Sequence, residues 1–100
     1  MRYANKTRTR QTLTLSGHAH RGHNPENEWL VCHVHGVTGD LAVWGTTGND
    51  TRHIATLEQR IRQSGFPVTI ECDWIAPDDF AVQKFNHRFW VWETDHFVIL

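Results

Sequence analysis

The run at residues 29–35 (WLVCHVH) constrains the fold most, because it reads as a strand with two usable faces. Side chains alternate between the two faces of a strand, so Leu30, Cys32 and Val34 share one of them. The other face carries Trp29, Val31, His33 and His35. One core buries only the first set. The second set therefore predicts either a further packing layer or a surface that stacks on a ligand.

The size and charge of the chain limit its organisation. Its 100 residues, 39% of them hydrophobic, suffice for one core and not for two. The formal net charge is −1, yet residues 1–23 hold five bases and no acid. We therefore expect residues 1–10 to form a basic arm and residues 11–100 a single domain. A basic arm can dock on nucleic acid or on an acidic partner, and a solvated terminus is the simpler interpretation.

The cysteines and the hydropathy of the chain indicate a compartment. Cys32 and Cys72 lie far apart, belong to no CxxC pair and occupy inward positions of strand-like runs. We expect both to be reduced core residues. No apolar run reaches membrane-spanning length, and the N-terminus has no apolar signal-type segment. The sequence therefore predicts a cytoplasmic protein without membrane contact.

Hydrophobic periodicity predicts five strands and one helix. The strands cover about residues 11–20, 29–35, 40–46, 66–75 and 89–100. Gly17 marks a bend or bulge in the first strand. The helix begins at Asp50 or Thr51 and ends before Gly65 and Pro67. Its buried stripe comprises Ile54, Leu57 and Ile61, and its outer face spaces Glu58 to pair with Arg62.

The order of these elements, β-β-β-α-β-β, predicts a mainly β protein with one helix. It is the order of a five-stranded OB-fold barrel, in which the first three strands form an antiparallel meander and the helix closes the bottom. Polar residues 21–28 connect the first two strands, and residues 76–88 form a long loop. The main alternative is an open α+β sheet with the helix packed across one face.

Three short segments carry a family resemblance: residues 12–17 (TLTLSG), 41–45 (LAVWG) and 65–71 (GFPVTIE). They resemble, in order, landmarks of bacterial single-stranded-DNA-binding proteins and the related primosomal replication protein. The resemblance covers about residues 11–100 and implies that single strands bind by stacking bases on strand aromatics. It places one such aromatic at Trp44. The chain departs from the family in lacking a long hairpin between strands one and two.

Strand parity gathers aromatic and histidine side chains on the outer face of the predicted meander. If residues 36–39 close a symmetric hairpin, Trp44 lies opposite Val31 and Ala42 opposite His33. The face then carries His18, His20, Trp29, His33, His35 and Trp44. OB folds bind oligonucleotides and oligosaccharides on this face. Packing of the two indoles into a core or a subunit contact is the alternative.

Metal and catalytic chemistry are not predicted. The pairs His18/His20 and His33/His35 are spaced for metal ligands, but no acid occupies an adjacent facing position in the predicted register. The sequence has no nucleophile elbow and no phosphate-cradling glycine loop. Cys32 and His33 point to opposite faces of one strand. We therefore expect no enzyme activity, no metal and no cofactor.

Two functions of different classes follow. In the first, the protein binds single-stranded DNA or RNA by stacking bases on the outer face, while basic residues neutralise phosphates. The basic residues assigned to phosphate contact are Arg8, Arg10 and Arg21, together with Arg2 and Lys6 of the arm. In the second, the same aromatic face is a protein-interaction or assembly surface without nucleic acid. The last strand is apolar on both faces and offers a contact for a homo-oligomer.

Overall fold

The computed structural model describes residues 9–36, 40–48, 50–75 and 90–100. The elements are β1 (Thr9–His23), β2 (Asn27–Val34), β3 (Asp40–Thr46), α1 (Arg52–Ser64), β4 (Val68–Ile75) and β5 (Trp90–Ile99). This confirms the predicted mainly β chain with one helix between the third and fourth strands. The predicted loop at residues 76–88 lies outside the described residues, as does most of the predicted arm.

The β1–β2 hairpin is longer than the sequence suggests. Most of the predicted polar connection at residues 21–28 is strand, because Gly22 pairs with Trp29 across the hairpin. The turn is short because the Asn24 side chain holds it. Its Oδ1 accepts hydrogen bonds from the backbone N–H groups of Glu26 and Asn27, at 2.8 and 2.7 Å. Asparagine favours such turns for this reason.

The five strands close into a ring in the order β1-β2-β3-β5-β4. Neighbours are antiparallel except β3 and β5, which run parallel. The ring closes where β4 returns to β1, from the pair Leu15–Val68 to the pair Thr9–Trp74. An open sheet is therefore wrong for this chain.

The core lies inside the ring. The predicted inward residues of β2 are buried and join the inward residues of the other strands and of α1. The buried members are Leu13, Leu15, Leu30, Cys32, Val34, Leu41, Val43, Ile54, Leu57, Val68, Ile70 and Cys72. Each fully buried Leu, Ile or Val contributes about 1.5–3 kcal/mol by leaving water. The predicted helix stripe is confirmed, with Ile61 packed at the edge of this core.

The helix α1 begins and ends where the sequence predicts. Thr51 is the N-cap, and Gly65 ends α1 with φ of 71° while its N–H donates to the Ile61 carbonyl at 2.7 Å. Positive φ favours glycine at this position. The predicted partner of Glu58 is wrong: Glu58 binds Arg21 of β1, Nη1 to Oε1 at 2.9 Å, and so ties the hairpin to the helix. Within the described ranges, no helix has the length and apolar character to cross a membrane.

Both cysteines are free and buried. Burial, with a smaller contribution from Asp40, raises the pKa of the Cys32 thiol from 9.0 to about 12. Burial likewise raises the pKa of Cys72 to about 11, and Asp73 adds to the rise while Arg10 opposes it. The two thiols therefore stay protonated in the folded protein at pH values where an exposed thiol ionises.

We expect the free energy of unfolding to fall as pH rises from about 9 to about 11. Unfolded thiols release protons near pH 9.0, whereas the folded thiols hold theirs, so the folded state binds more protons in this window. The contribution of the thiols to the free energy of unfolding is fully present below that window. It falls as the pH rises through the window, by about 1.4 kcal/mol per pH unit for each thiol. Urea denaturation at a series of pH values measures the slope. The double variant Cys32→Ala/Cys72→Ala should flatten it, and an unchanged slope would contradict this origin.

Candidate nucleic-acid interface

The register of β2 and β3 determines which side chains meet on the outer face. Trp29 lies opposite Trp44, Val31 opposite Ala42 and His33 opposite Asp40. The predicted register, with Trp44 opposite Val31, is wrong by two residues. The pairing is centred between residues 36 and 37, where Gly36 has φ of 83° and forms the turn. A shift of two residues keeps every side chain on its predicted face.

The two indoles lie packed on the outer face. Trp29 and Trp44 form a second apolar cluster with Val31 and Ala42, and their exposed fractions are 6% and 7%. Gly22 lies against the Trp29 ring, since a Cβ atom there would sit 2.5 Å from the indole Nε1. Stacking of a base on either indole requires its ring face to become accessible. The assignment of these residues to base stacking stays a prediction.

Sequence reasoning missed an acid beside this cluster. Glu93 of β5 pairs with Ala42 of β3 and is fully buried. Its signal in the sequence is weak, since Glu93 is one of two acids, with Asp95, in the largely apolar run of residues 89–100. Without the parallel β3–β5 pairing, that acid cannot be assigned to the indole cluster.

Two irregularities interrupt β1 at the middle of this face. The register shifts between Leu15 and Gly17 and again between Gly17 and His20. The predicted bulge near Gly17 is therefore confirmed. The left-handed conformation falls on His18, with φ of 59°, rather than on the glycine. A residue with a side chain pays about 1–2 kcal/mol for this conformation.

The bulge brings three polar side chains together, which we call the histidine array: His18, His33 and Asp40. The imidazoles of His18 and His33 meet edge to face, with ring centroids 6.1 Å apart and planes at 88°. The Asp40 carboxylate lies 3.2 Å from Nδ1 of His33. When Nδ1 carries a proton it donates to Asp40, which leaves Nε2 for a ligand. His33 keeps 43% of its side chain exposed.

The observed register of β2 and β3 explains why an acid lies beside the histidines. The sequence interpretation found no acid facing the histidines, and this is wrong, since Asp40 faces His33 directly. The remaining predicted histidines, His20 and His35, are exposed, and the His35 backbone N–H donates to the Thr14 carbonyl at 2.8 Å. Within the described residues, no group of three or more ligating side chains is arranged to hold a metal ion.

The described arginines assigned to phosphate contact are engaged with acids. Arg10 Nε lies 2.7 Å from Glu71 Oε1, and Arg21 bridges Glu58 at 2.9 Å and Glu28 at 3.5 Å. Partly exposed pairs of this kind contribute about 0–1 kcal/mol, so a phosphate can compete for the guanidinium. Arg8 lies outside the described residues. Phosphate contact by these arginines stays a prediction.

Known proteins offer no assignment for this surface. The chain matches no family model, no curated protein and no solved structure.

Proposed function

We propose that this protein is a small OB-fold module that binds single-stranded DNA or RNA on the outer face of β1, β2 and β3. The strand order β1-β2-β3-β5-β4, the parallel β3–β5 pair and the helix between β3 and β4 support the fold assignment. OB folds bind oligonucleotides on this part of the sheet. Two free, buried thiols fit a reducing compartment, and we place the protein in the cytoplasm.

The observation that carries the proposal is the set of imidazoles on adjacent strands. His18 and His20 on β1, with His33 and His35 at the end of β2, keep exposed surface beside the buried indoles. Imidazole rings stack on bases and hydrogen-bond to base edges and phosphates. They also gain positive charge as the pH falls. This face therefore combines a flat support with side chains suited to an unpaired strand.

In this proposal the buried indoles and the exposed histidines have different roles. Trp29 and Trp44 lie opposite each other on β2 and β3 and pack in one apolar cluster that supports this part of the sheet. The histidines form the contact layer, and Arg10 and Arg21 exchange their carboxylate partners for phosphates at its margins. Because few cations take part, we expect a shallow dependence of affinity on salt.

We expect labelled oligo-dT or oligo-U to bind at low salt, with anisotropy as the readout. The logarithm of affinity should fall with the logarithm of salt concentration, with a slope of about −0.7 for each phosphate contact. The double variant His18→Ala/His20→Ala should weaken binding about tenfold, as expected for losing one stacked base. The matched control is His96→Ala, an exposed histidine on β5 opposite Asp73.

Two outcomes contradict the proposal. The first is an absence of binding at low salt by the folded wild-type protein. The second is an equal loss of affinity in the double variant and in His96→Ala, because the site would then not lie on the β1–β3 face.

A second function, an assembly module, is favoured by a separate observation. Val98 and Leu100 at the end of β5 are apolar and exposed, at 47% and 66%. Together with the packed indoles and the acid-paired arginines, they suit a subunit contact better than a polyanion. Sedimentation of the protein alone discriminates the two functions. A stable oligomer that binds no oligonucleotide supports assembly, and a monomer that binds oligonucleotide excludes it.

A further inference from the structure

We propose that the histidine array at the β1 bulge binds one phosphate group and takes up a proton when it does so. The identity of that phosphate as part of a nucleic-acid strand rests on the function proposed above. The array itself requires only a phosphate group, whether that group is free or part of a strand.

The backbone of β1 positions the first ring of the array. His18 adopts a φ of 59°, a conformation that glycine adopts freely, while its neighbour Gly17 has an ordinary φ. Strained residues of this kind concentrate at functional sites, because the surrounding structure has to maintain them. Here the strained residue is the one whose ring meets His33 at 6.1 Å. The bulge thus lies at the place where the two imidazoles meet.

The charges of the array are unequal. A proton on His33 is balanced by Asp40, whose carboxylate oxygen lies 3.2 Å from Nδ1. Among the described residues, His18 has no acid as an ion-pair partner. With both rings protonated, the array carries two positive charges and one negative charge. A phosphodiester adds one negative charge and makes the complex neutral, so it favours the doubly protonated state.

The surroundings of the array determine the direction of the pH effect. The titratable groups that face it are His20 on β1, His35 at the end of β2 and Asp40 on β3. Asp40, itself part of the array, is the acid that the described residues place in contact with one of the two rings. Protonation of His20 or His35 adds further positive charge near the site. Acidification therefore strengthens binding of a phosphodiester, and binding in turn favours uptake of the proton that leaves both rings charged.

The exposure of the pair indicates the size of the ligand. His18 is exposed and His33 is half-buried, so an anion can approach from solvent without rearrangement of the core. Each imidazole can donate one charge-assisted hydrogen bond to an oxyanion, and separate oxygens of one phosphate group can accept from both rings. A single phosphate group therefore fits the array.

The test uses inorganic phosphate and oligo-dT as separate probes. Histidine ring NMR signals are followed against pH with phosphate or with chloride at equal ionic strength. We expect phosphate to move the titration of the His18 and His33 signals to higher pH and to leave His96 unchanged. We also expect oligo-dT affinity to rise about tenfold for each pH unit of acidification across the histidine range, the slope for uptake of one proton.

Two variants make the test specific. His18→Gly suits the φ of this position, so the fold should be retained and thermal unfolding should stay at or above the wild-type temperature. It should remove most of the pH dependence of oligo-dT binding and the phosphate effect on the His33 signal. His96→Gln should change neither. Wild-type pH dependence in His18→Gly would overturn the inference.

The two probes separate the possible failures. If phosphate moves the ring signals but oligo-dT does not bind, the array is a site for free phosphate and the proposed function fails. If oligo-dT binds but phosphate leaves both rings unchanged and binding does not depend on pH, the proposed function stands and the inference fails. If neither probe has an effect, both fail.

Discussion

Gly45→Ala should destabilise the fold by about 3 kcal/mol or more, which is at the upper end for overpacking a tight contact. A Cβ atom at this position would overlap the Asp50 carbonyl oxygen and lie 2.9 Å from Cε1 of His53. Asp50 belongs to the connection between β3 and α1, and His53 lies in the first turn of α1. Because the Asp50 oxygen is a backbone atom, a change of side-chain rotamer cannot make room.

The connection and the start of α1 cannot move away, since two hydrogen bonds hold them against the end of β3. When His53 carries its proton on Nε2, it donates to the Trp44 carbonyl at 2.8 Å, and the Asp50 N–H donates to the Thr46 carbonyl at 3.1 Å. The requirement for glycine here is thus one of space. It gives a physical reason for an aromatic-glycine pair at the end of the third strand.

Urea denaturation followed by circular dichroism measures the effect of Gly45→Ala. The matched control is Gly17→Ala, where an added Cβ meets nothing within 4 Å and φ is ordinary. We expect the control to stay within about 1 kcal/mol of the wild type. Equal stability of the two variants would mean that the contact between β3 and the start of α1 is looser than described.

Trp44→Ala should lower the free energy of unfolding by about 3–5 kcal/mol, the usual cost of truncating a buried tryptophan. The ring is 7% exposed, and it packs with Val31, Ala42 and the opposed indole of Trp29. Removal of the ring leaves a cavity between the two strands that carry the candidate interface. We expect weaker oligonucleotide binding as a consequence of this loosening.

Comparison of stability with binding distinguishes support from direct stacking. Trp44→Phe keeps a flat ring in the same place and should recover most of the stability lost in Trp44→Ala. If Trp44→Ala instead unfolds like the wild type and loses binding, the ring is accessible in solution and stacks on a base directly. Such a result would restore the direct role that the family resemblance implies for this residue.

The parts of the fold that depend on periodicity were predictable. The bounds of β3 agree with the prediction to the residue, and the stripe of Ile54, Leu57 and Ile61 identifies the buried side of α1. Each rests on a repeated apolar spacing that one burial environment explains. The extent of the β1–β2 hairpin was not predictable in this way. Its tip is polar, and the side chain of Asn24 holds its turn.

The sequence predicts which face of the sheet the site residues occupy, but not which residues lie opposite them. Alternation places His33 and Trp44 on the outer side of the sheet. An error of two residues in the register does not change this, because such a shift leaves every side chain on the same face. The partners depend on where the turn at Gly36 is centred, and a symmetric loop gave the wrong centre. Asp40 was missed for that reason alone. The burial of the indoles was undetermined, since tryptophan in a strand is compatible with a core and with a stacking surface.

The ring closure has a consequence for how this chain acquires its structure. β1 needs β4 as its second neighbour, and β5 lies between β3 and β4. The strands synthesised first therefore complete their pairing only after the last strands have been synthesised. Pairing between distant parts of a chain is slow to form, typically on a timescale of about milliseconds to seconds. During synthesis, the nascent β1–β3 meander exposes unpaired backbone at both of its margins. We therefore expect mispairing with another nascent copy until both β4 and β5 have left the ribosome.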